Sequence, residues 1–251
     1  MATTSIYDLQ PQLAANRRYW TGWDGSEPDT DLPIYRTGLP QGLLNGVLRV
    51  RNRPLDDAVE EAMGQLAGSR WSWWVGADSD VGTAEGLFAL GATQSSDMPV
   101  MAIDVTKVAT YDTPRNLRIR PVTSKKEMQE YVRAYAGPLG FPDGPLDARV
   151  DRELDFTYPD VVRLAAVIDG KTVGTCTLSL GTGVGALYST TTDADYRRRG
   201  IATALILESL RIVRESGRRI VTLQASSDGE PVYRRIGFET VTRYRLFQFP
   251  Q

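Results

Sequence analysis

The chain contains no histidine. That absence removes the Ser-His-Asp and Cys-His arrangements of nucleophilic catalysis, and most zinc and haem sites with them. Cysteine is almost absent as well. Cys176 stands alone, so an internal disulfide is excluded, and a reducing, cytoplasmic setting fits. Cys176 lies in the apolar-alternating run Val173 to Leu180 and reads as a buried strand residue rather than a nucleophile. No run of about 18 apolar residues occurs, so no transmembrane helix is expected. The start, Met1 to Trp20, is polar and carries Asp8, Arg17 and Arg18, unlike a secretory signal.

What is present is ordinary for a globular protein: 41% apolar and 24% charged residues. A length of 251 residues allows one large or two small domains. Net charge is −2, but it is uneven. Residues 1–112 hold 8 Lys or Arg against 15 Asp or Glu, whereas residues 113–251 hold 21 against 16. Solvated faces account for such asymmetry. A basic half that holds an anionic cofactor, beside an acidic half that attracts a cationic acceptor, accounts for it equally. Nucleic acid fits poorly, because no basic stripe is interleaved with aromatics and the sequence pI is 5.4.

Periodicity and breaker residues divide the chain. Helices are expected over Ile6–Arg18, Pro54–Leu66, Ala84–Leu90, Lys125–Tyr135, Leu146–Phe156, Ile201–Glu215 and Pro231–Ile236. Strands are expected over Leu43–Val50, Trp71–Val75, Met98–Val105, Leu117–Val122, Val161–Val167, Thr172–Leu180, Val184–Thr191, Ile220–Gln224 and Phe238–Phe249. Asn45-Gly46 reads as a tight turn and Asp169-Gly170 as a hairpin turn. Val59, Met63 and Leu66 share one face of their helix. Ile206, Leu210 and Val213 form one stripe of the long helix, which Gly217 ends. The Trp71, Trp73, Trp74 cluster suits core packing better than a stacking platform. Val108 to Arg115 reads as a linker, after which the pattern restarts.

Two glycine-bearing segments compete as phosphate sites. Gly181-Thr182-Gly183-Val184-Gly185-Ala186 matches G-x-G-x-x-G/A, but β-branched and aromatic residues follow it where a helix is required, so it reads as a hairpin turn. Arg197-Arg198-Arg199-Gly200-Ile201-Ala202 has the right context, a strand before and a helix after. The first N–H groups of a helix lack partners and the helix dipole is positive there. Gly200 lets a ligand approach the backbone.

Further on, Leu223-Gln224-Ala225-Ser226-Ser227 precedes Pro231-Val232-Tyr233-Arg234-Arg235-Ile236-Gly237-Phe238. Strand, R-x-x-G-x-A, helix, strand, then a short Tyr-containing helix ending in Gly-Phe resembles the GNAT superfamily of acyl-CoA-dependent N-acyltransferases. Arg197, Gly200 and Ala202 match its Q/R-x-x-G-x-G/A signature, and Tyr233 to Phe238 its late Y-x-x-x-G-F element. The resemblance covers about residues 117–249. The first half looks like the back half of a degenerate unit that lacks the signature. The resemblance implies an α/β (α+β) fold with a mixed, mostly antiparallel sheet flanked by helices, in two GNAT-like units. The first, over 1–110, is degenerate, and the second, over 115–251, is catalytic.

The resemblance also implies a site for acetyl-CoA or another acyl-CoA. Pantetheine would lie where the family's fourth and fifth strands splay, along Thr190, Thr191 and Thr192, pairing with backbone groups of Thr190 and Thr192. Arg197 and the amides of Arg198, Arg199, Gly200, Ile201, Ala202 and Thr203 would hold the pyrophosphate, and Ser226 would border the arm. A primary amine, of a small molecule or peptide, would attack the thioester directly. Secondary metabolism is one setting for such an acceptor. A backbone N–H of the fourth strand would serve the oxyanion, and Tyr233 would be the acid at the departing sulfur. The base is open: the fourth strand has no carboxylate between Ala186 and Ser189, which leaves Asp193, Asp195, Tyr188 or a water held by Ser189. The Gly137 to Asp160 region, with Asp143, Asp147, Asp151 and Asp155, would shape the acceptor mouth, most of these charges being solvated. A catalytically silent acyl-CoA-binding sensor or scaffold is the competing reading. No nucleic acid or membrane partner is expected, and oligomeric state is open.

Overall fold

The computed structural model describes residues 5–108, 114–141, 146–181 and 183–250. In chain order its elements are α1 (Leu9–Thr21), β1 (Ile34–Arg36), β2 (Asn45–Val47), α2 (Leu55–Gln65), β3 (Ser72–Val75), α3 (Thr83–Ala89), β4 (Thr93–Asp104), β5 (Arg118–Pro121), α4 (Lys125–Ala136), α5 (Leu146–Leu154), β6 (Val161–Ile168), β7 (Lys171–Ser179), β8 (Gly185–Thr192), α6 (Ile201–Glu215), β9 (Ile220–Gln224), α7 (Glu230–Ile236) and β10 (Glu239–Gln248). All ten strands join one sheet, in the order β1-β2-β3-β10-β4-β9-β8-β7-β6-β5. Neighbours are antiparallel except two pairs, β2 with β3 and β8 with β9.

Those parallel pairs reveal an internal likeness. The run β2–α2–β3–α3–β4 is a parallel strand pair with a helical crossover, a short helix and a long antiparallel strand. The run β8–α6–β9–α7–β10 has the same order. Each run sends its last strand across the seam. β4 pairs with β9 over Val100–Asp104, β10 pairs with β3 over Arg245–Phe247, and β4 and β10 lie side by side. The halves are therefore fused through a reciprocal exchange of strands.

Local chemistry sets the elements. Ser124 and Glu127 form a reciprocal capping box that starts α4. Asp169 and Gly170, both with positive φ, make the two-residue turn between β6 and β7, as their sequence requires. The Ile206, Leu210 and Val213 stripe of α6 is buried against β6 and β7 with Leu164, Cys176 and Leu178. The opposite face of the sheet carries α1 and a ring-rich core of Tyr19, Trp20, Tyr35, Trp74, Tyr188 and Tyr244. Trp73 lies in a further cluster under α2 and α3. The tryptophan cluster thus packs mainly as core.

Several expectations need correction. Asn45-Gly46 is not a turn but extended strand, because Gly46 lies flush against the Ser72 backbone, where a Cβ would collide. Of the strand expected over Leu43–Val50, Leu43 and Leu44 form a 3₁₀ turn and only Asn45–Val47 is strand. Met63 is 44% exposed and does not share the buried face of Val59 and Leu66. β1 was not expected, and β4 starts at Thr93, five residues before Met98, because β10 pairs with its polar beginning. Most of the Val108 to Arg115 linker lies outside the described residues. Among the described residues no helix is long and apolar enough to cross a membrane.

Candidate functional site

The parallel pair β8 and β9 is joined only from Gly185↔Val221 to Leu187↔Leu223. Beyond Leu187 the strands separate, and β8 runs on against β7 alone. The separation coincides with a β-bulge, where Ser189 and Thr190 together face Cys176. Ser189 has φ 49°, and Thr175 Oγ1 donates to its carbonyl at 2.9 Å, which holds the distorted backbone. Asp193 N–H donates to Val173 O on β7. Antiparallel alternation then turns the N–H and C=O of Thr192, and of Thr190, away from β7 into the gap. The Thr191 side chain goes the other way, its Oγ1 2.7 Å from Thr175 Oγ1 in the core. Thr192 Oγ1 is buried without a hydrogen-bond partner.

At the end of β8 a 3₁₀ turn, Ala194–Tyr196, leads through Arg197, Arg198, Arg199 and Gly200 into α6. All four are exposed. Arg198 (φ 61°) and Gly200 (φ 77°) take the left-handed conformation, which bends the chain sharply before the helix. The first intrahelical bond from this cap is Ala204 N–H to Gly200 O at 2.9 Å, so the amides of Ile201, Ala202 and Thr203 precede the ladder. The first turn of α6 contains no acidic residue to neutralise them. Arg199 donates to Asp195 O and packs over Tyr196. Asp193 accepts from Lys171 at 2.8 Å and caps the turn, so its carboxyl sits below the usual carboxylate range. Asp195 is exposed.

The opposite wall of the gap comes from β9 and α7. Ser226 is exposed, and its Oγ and O both receive the Gly229 N–H, shaping the turn into α7. Tyr233 lies on the inner face of α7, 9% exposed and edge-on to Phe238. Burial pushes its phenol up to about 12, against a smaller downward pull from its hydrogen bond to Thr190. Thr190 Oγ1 is 3.4 Å from Cys176 Sγ, and Cys176 Sγ is 3.5 Å from Ser209 Oγ. Cys176 is fully buried and its thiol is shifted up by that burial, as the alternating run indicated. In the Gly181-to-Ala186 segment, Gly185 and Ala186 already belong to β8, which runs antiparallel to β7, so strand rather than helix follows the glycines; Thr182 lies outside the described residues.

A cavity of about 270 Å³ adjoins the gap. Thr190, Ser189, Ser226 and Tyr233 form one side. The other side is aromatic and aliphatic, with Trp20 and Trp23 from the first half and Tyr135 and Phe141 from the second. Tyr188 also lines it, but stacks on Tyr19 at 3.5 Å and donates its hydroxyl to Ala15 O, and burial pushes its phenol far up. Of the Gly137 to Asp160 region, Leu139, Phe141 and Glu153 reach the cavity. Asp147, Asp151 and Asp155 are exposed, Asp151 pairing with Lys125, and Asp143 lies outside the described residues.

Glu153 was missed at the sequence level. It is 5% exposed, and Arg163 Nε donates to its Oε2 at 2.6 Å. Tyr135 also hydrogen-bonds to it. The signal was available: Leu146, Val150 and Glu153 follow helical spacing, so the acid sits on the apolar stripe of α5.

The acetyltransferase (GNAT) family model matches residues 127–238. That stretch runs from α4 to the turn after α7. The whole chain resembles a GCN5-related N-acetyltransferase from Kribbella flavida, with 18% identity, a TM-score of 0.73, and 99% of this chain and 97% of that one covered. A GCN5-related N-acetyltransferase from Sphaerobacter thermophilus gives 20% identity, a TM-score of 0.62, and coverage of 98% and 94%. A tandem GNAT protein from the clavulanic acid biosynthesis pathway gives 18%, 0.63, and coverage of 86% and 77%. These likenesses show the fold, a mixed sheet flanked by helices in a tandem arrangement. No curated protein sequence matches the chain.

Proposed function

We propose that the protein is an acyl-CoA-dependent N-acyltransferase, most simply an N-acetyltransferase, which passes its acyl group to a primary amine by direct attack. One observation carries this reading. The gap between β8 and β9 opens beside Tyr233 at one end and meets an unneutralised helix N-terminus with three exposed arginines at the other. A phosphorylated thiol cofactor has that polarity. Arg197, Arg198, Arg199 and the amides of Gly200, Ile201, Ala202 and Thr203 would hold its pyrophosphate. Thr190 and Thr192 would form the strand edge for its arm, whereas Thr191, expected there too, faces β7 and the core, and Ser226 would border the arm. The domain assignment follows: residues 115–251 carry the chemistry, and residues 1–110 complete the sheet and the cavity wall. A cytoplasmic setting accords with the single buried thiol.

Acyl-CoA would supply an activated carbonyl and a thiolate leaving group. Tyr233, with a phenol near 12, stays protonated at neutral pH. A thiol ionises near 8.5, so full proton transfer from Tyr233 is uphill by roughly 3 to 4 units. Tyr233 therefore acts as a hydrogen-bond donor to the developing thiolate. Tyr188 is occupied with Ala15 O and Asp193 with Lys171, which weakens both as proton acceptors for the amine.

Titration calorimetry with acetyl-CoA, followed by free-thiol release with amines present, tests the reading. One site per chain and amine-dependent release are expected. Binding without release for any amine would favour the silent sensor or scaffold, and no binding would remove both.

A further inference from the structure

We infer that the acceptor is a small primary amine on an aromatic or branched apolar body, and that Glu153 receives its amino group. This rests on the acyltransferase reading and goes beyond it in naming the acceptor class. Three observations carry it. A cavity of about 270 Å³ lies at the low end of small-molecule pockets and is too small for a folded peptide segment. Among the described lining residues Glu153 is the one carboxylate, and no Lys or Arg reaches the wall. The remaining wall is dominated by rings and aliphatics, Trp20, Trp23, Trp74 and Phe141 among them.

The electrostatics select one amine per molecule. Glu153 is held by Arg163 and by Tyr135, so its position is fixed before any acceptor arrives. A carboxylate beside an amine gives its N–H groups an acceptor. The Arg163 partner keeps the pair neutral overall, and an apolar wall disfavours an ammonium. A monoamine can enter, shed its proton to solvent and lay an N–H on Glu153, and then it attacks the acyl carbonyl as the neutral amine. That step forms the C–N bond, breaks the C–S bond with release of the thiolate, and passes the proton of the nitrogen to water. A polyamine would bury a second ammonium that has no partner, which costs far more than the apolar contact returns. The overall acidity of the first half does not reach this cavity as charge.

Two readouts test the inference. Intrinsic tryptophan fluorescence, with Trp20, Trp23 and Trp74 in the wall, follows direct binding of 2-phenylethylamine and spermidine to the CoA-loaded protein. Free-thiol release from acetyl-CoA follows turnover of the same amines and of a lysine peptide. Saturable binding and a kcat/KM about 100-fold higher for 2-phenylethylamine are expected, the scale of burying one ring. Tighter binding or faster turnover of spermidine or the peptide would overturn the acceptor class while leaving acyl transfer intact. Absence of cofactor binding would instead remove the underlying function. Glu153→Gln is expected to lower turnover at least tenfold. Because it disturbs a buried pair, Leu139→Asp at the half-exposed rim supplies a second variant. That change is expected to narrow the preference for 2-phenylethylamine over 1,4-diaminobutane about tenfold, and an unchanged ratio would count against the cavity as the acceptor site.

Discussion

The two parallel strand pairs of this sheet share a topology and differ in what fills them. Between β8 and β9 the strands part, and the space beyond is lined by hydroxyls and Tyr233. Between β2 and β3 the pairing is shorter still, from Gly46↔Ser72 to Val47↔Trp73, yet the chains beyond are tied together. Asp80 N–H donates to Val50 O, and Arg49 and Arg17 both pair with Asp78. All three charged side chains are 2–3% exposed. The helix starts diverge too. α2 has Pro54 at its cap and Asp56 and Asp57 in its first turn, so its own acids answer its dipole. α6 offers glycine and arginines instead. Where α7 carries Tyr233, the fourth residue of α3 is Gly86, and Leu55 occupies the space in front of it. One frame thus takes the form of an open gap or of a plugged structural joint, according to side chains at three places.

The plug is the strongest way to break that comparison. In Asp78→Ala, Arg17 would keep only the exposed Asp29 carboxylate and Pro28 O, and Arg49 only backbone carbonyls, so both lose their buried counter-charge, a loss of about 3 kcal/mol. Burial raises the Asp78 carboxyl while both arginines oppose that shift, which shows how much the pair depends on being complete. Urea denaturation should register the loss, and acetyl-CoA affinity of the folded fraction should stay within twofold. A collapse of affinity without loss of stability would mean the first unit carries part of the cofactor site. Next in size is Gly200→Glu, which puts a side chain on φ 77° and a negative charge at the α6 start. An affinity loss of about 100-fold, roughly 3 kcal/mol, is expected by calorimetry. The paired control, Asp56→Asn with Asp57→Asn, should leave the stoichiometry at one per chain. A second binding site in that variant would show that acids alone silence the first unit.

Local rules made much of this legible. α6 was readable to the residue, because its apolar stripe, Gly200 and Gly217 act within the segment itself. The turn at Asp169-Gly170 was readable for the same reason. β1 was not, since three residues form a strand only by pairing with β2. The strand exchange left no local trace either: β10 and β4 alternate as any strands do, and their partners lie over 100 residues away in sequence. Asn45-Gly46 misled because its glycine answers a close backbone approach rather than a turn. At the site, Arg197 to Thr203 and Tyr233 carry short-range motifs. Glu153 does not, and its meaning comes from Arg163 and the cavity.

Tyr233→Phe sharpens the comparison at the chemical step. The ring packs against Phe238 in either variant, so folding should be retained. Loss of one hydrogen bond to a developing thiolate predicts a fall in kcat of about 10- to 100-fold, with acetyl-CoA affinity within twofold. An unchanged rate in single-turnover thiol release would reduce Tyr233 to packing, and the two units would then differ only in binding.

The seam between the units should respond least. Asp104, at the end of β4, accepts from Arg219 at 2.8 Å just before β9, and also from Thr106. The Arg219 hydrogen bond, against a smaller opposing effect of burial, lowers the Asp104 carboxyl from 3.8 to about 2. A carboxyl with a depressed folded value contributes stability above its unfolded value, and that contribution is lost as pH falls through the folded one. Here the window runs from about pH 4 down to about pH 2. Arg219 is half exposed, so solvent screening limits the contribution to about 1 kcal/mol. Asp104→Asn keeps an oxygen for Thr106 but gives up the charge. At neutral pH it should melt about 2–4 °C below the parent, the scale for a chain of this size. The two proteins should converge as pH approaches 2, where the parent has lost the same charge. A melting difference that persists unchanged through that window would mean the seam is held by the β4 and β9 ladder alone, with the ion pair contributing nothing to the exchange of strands.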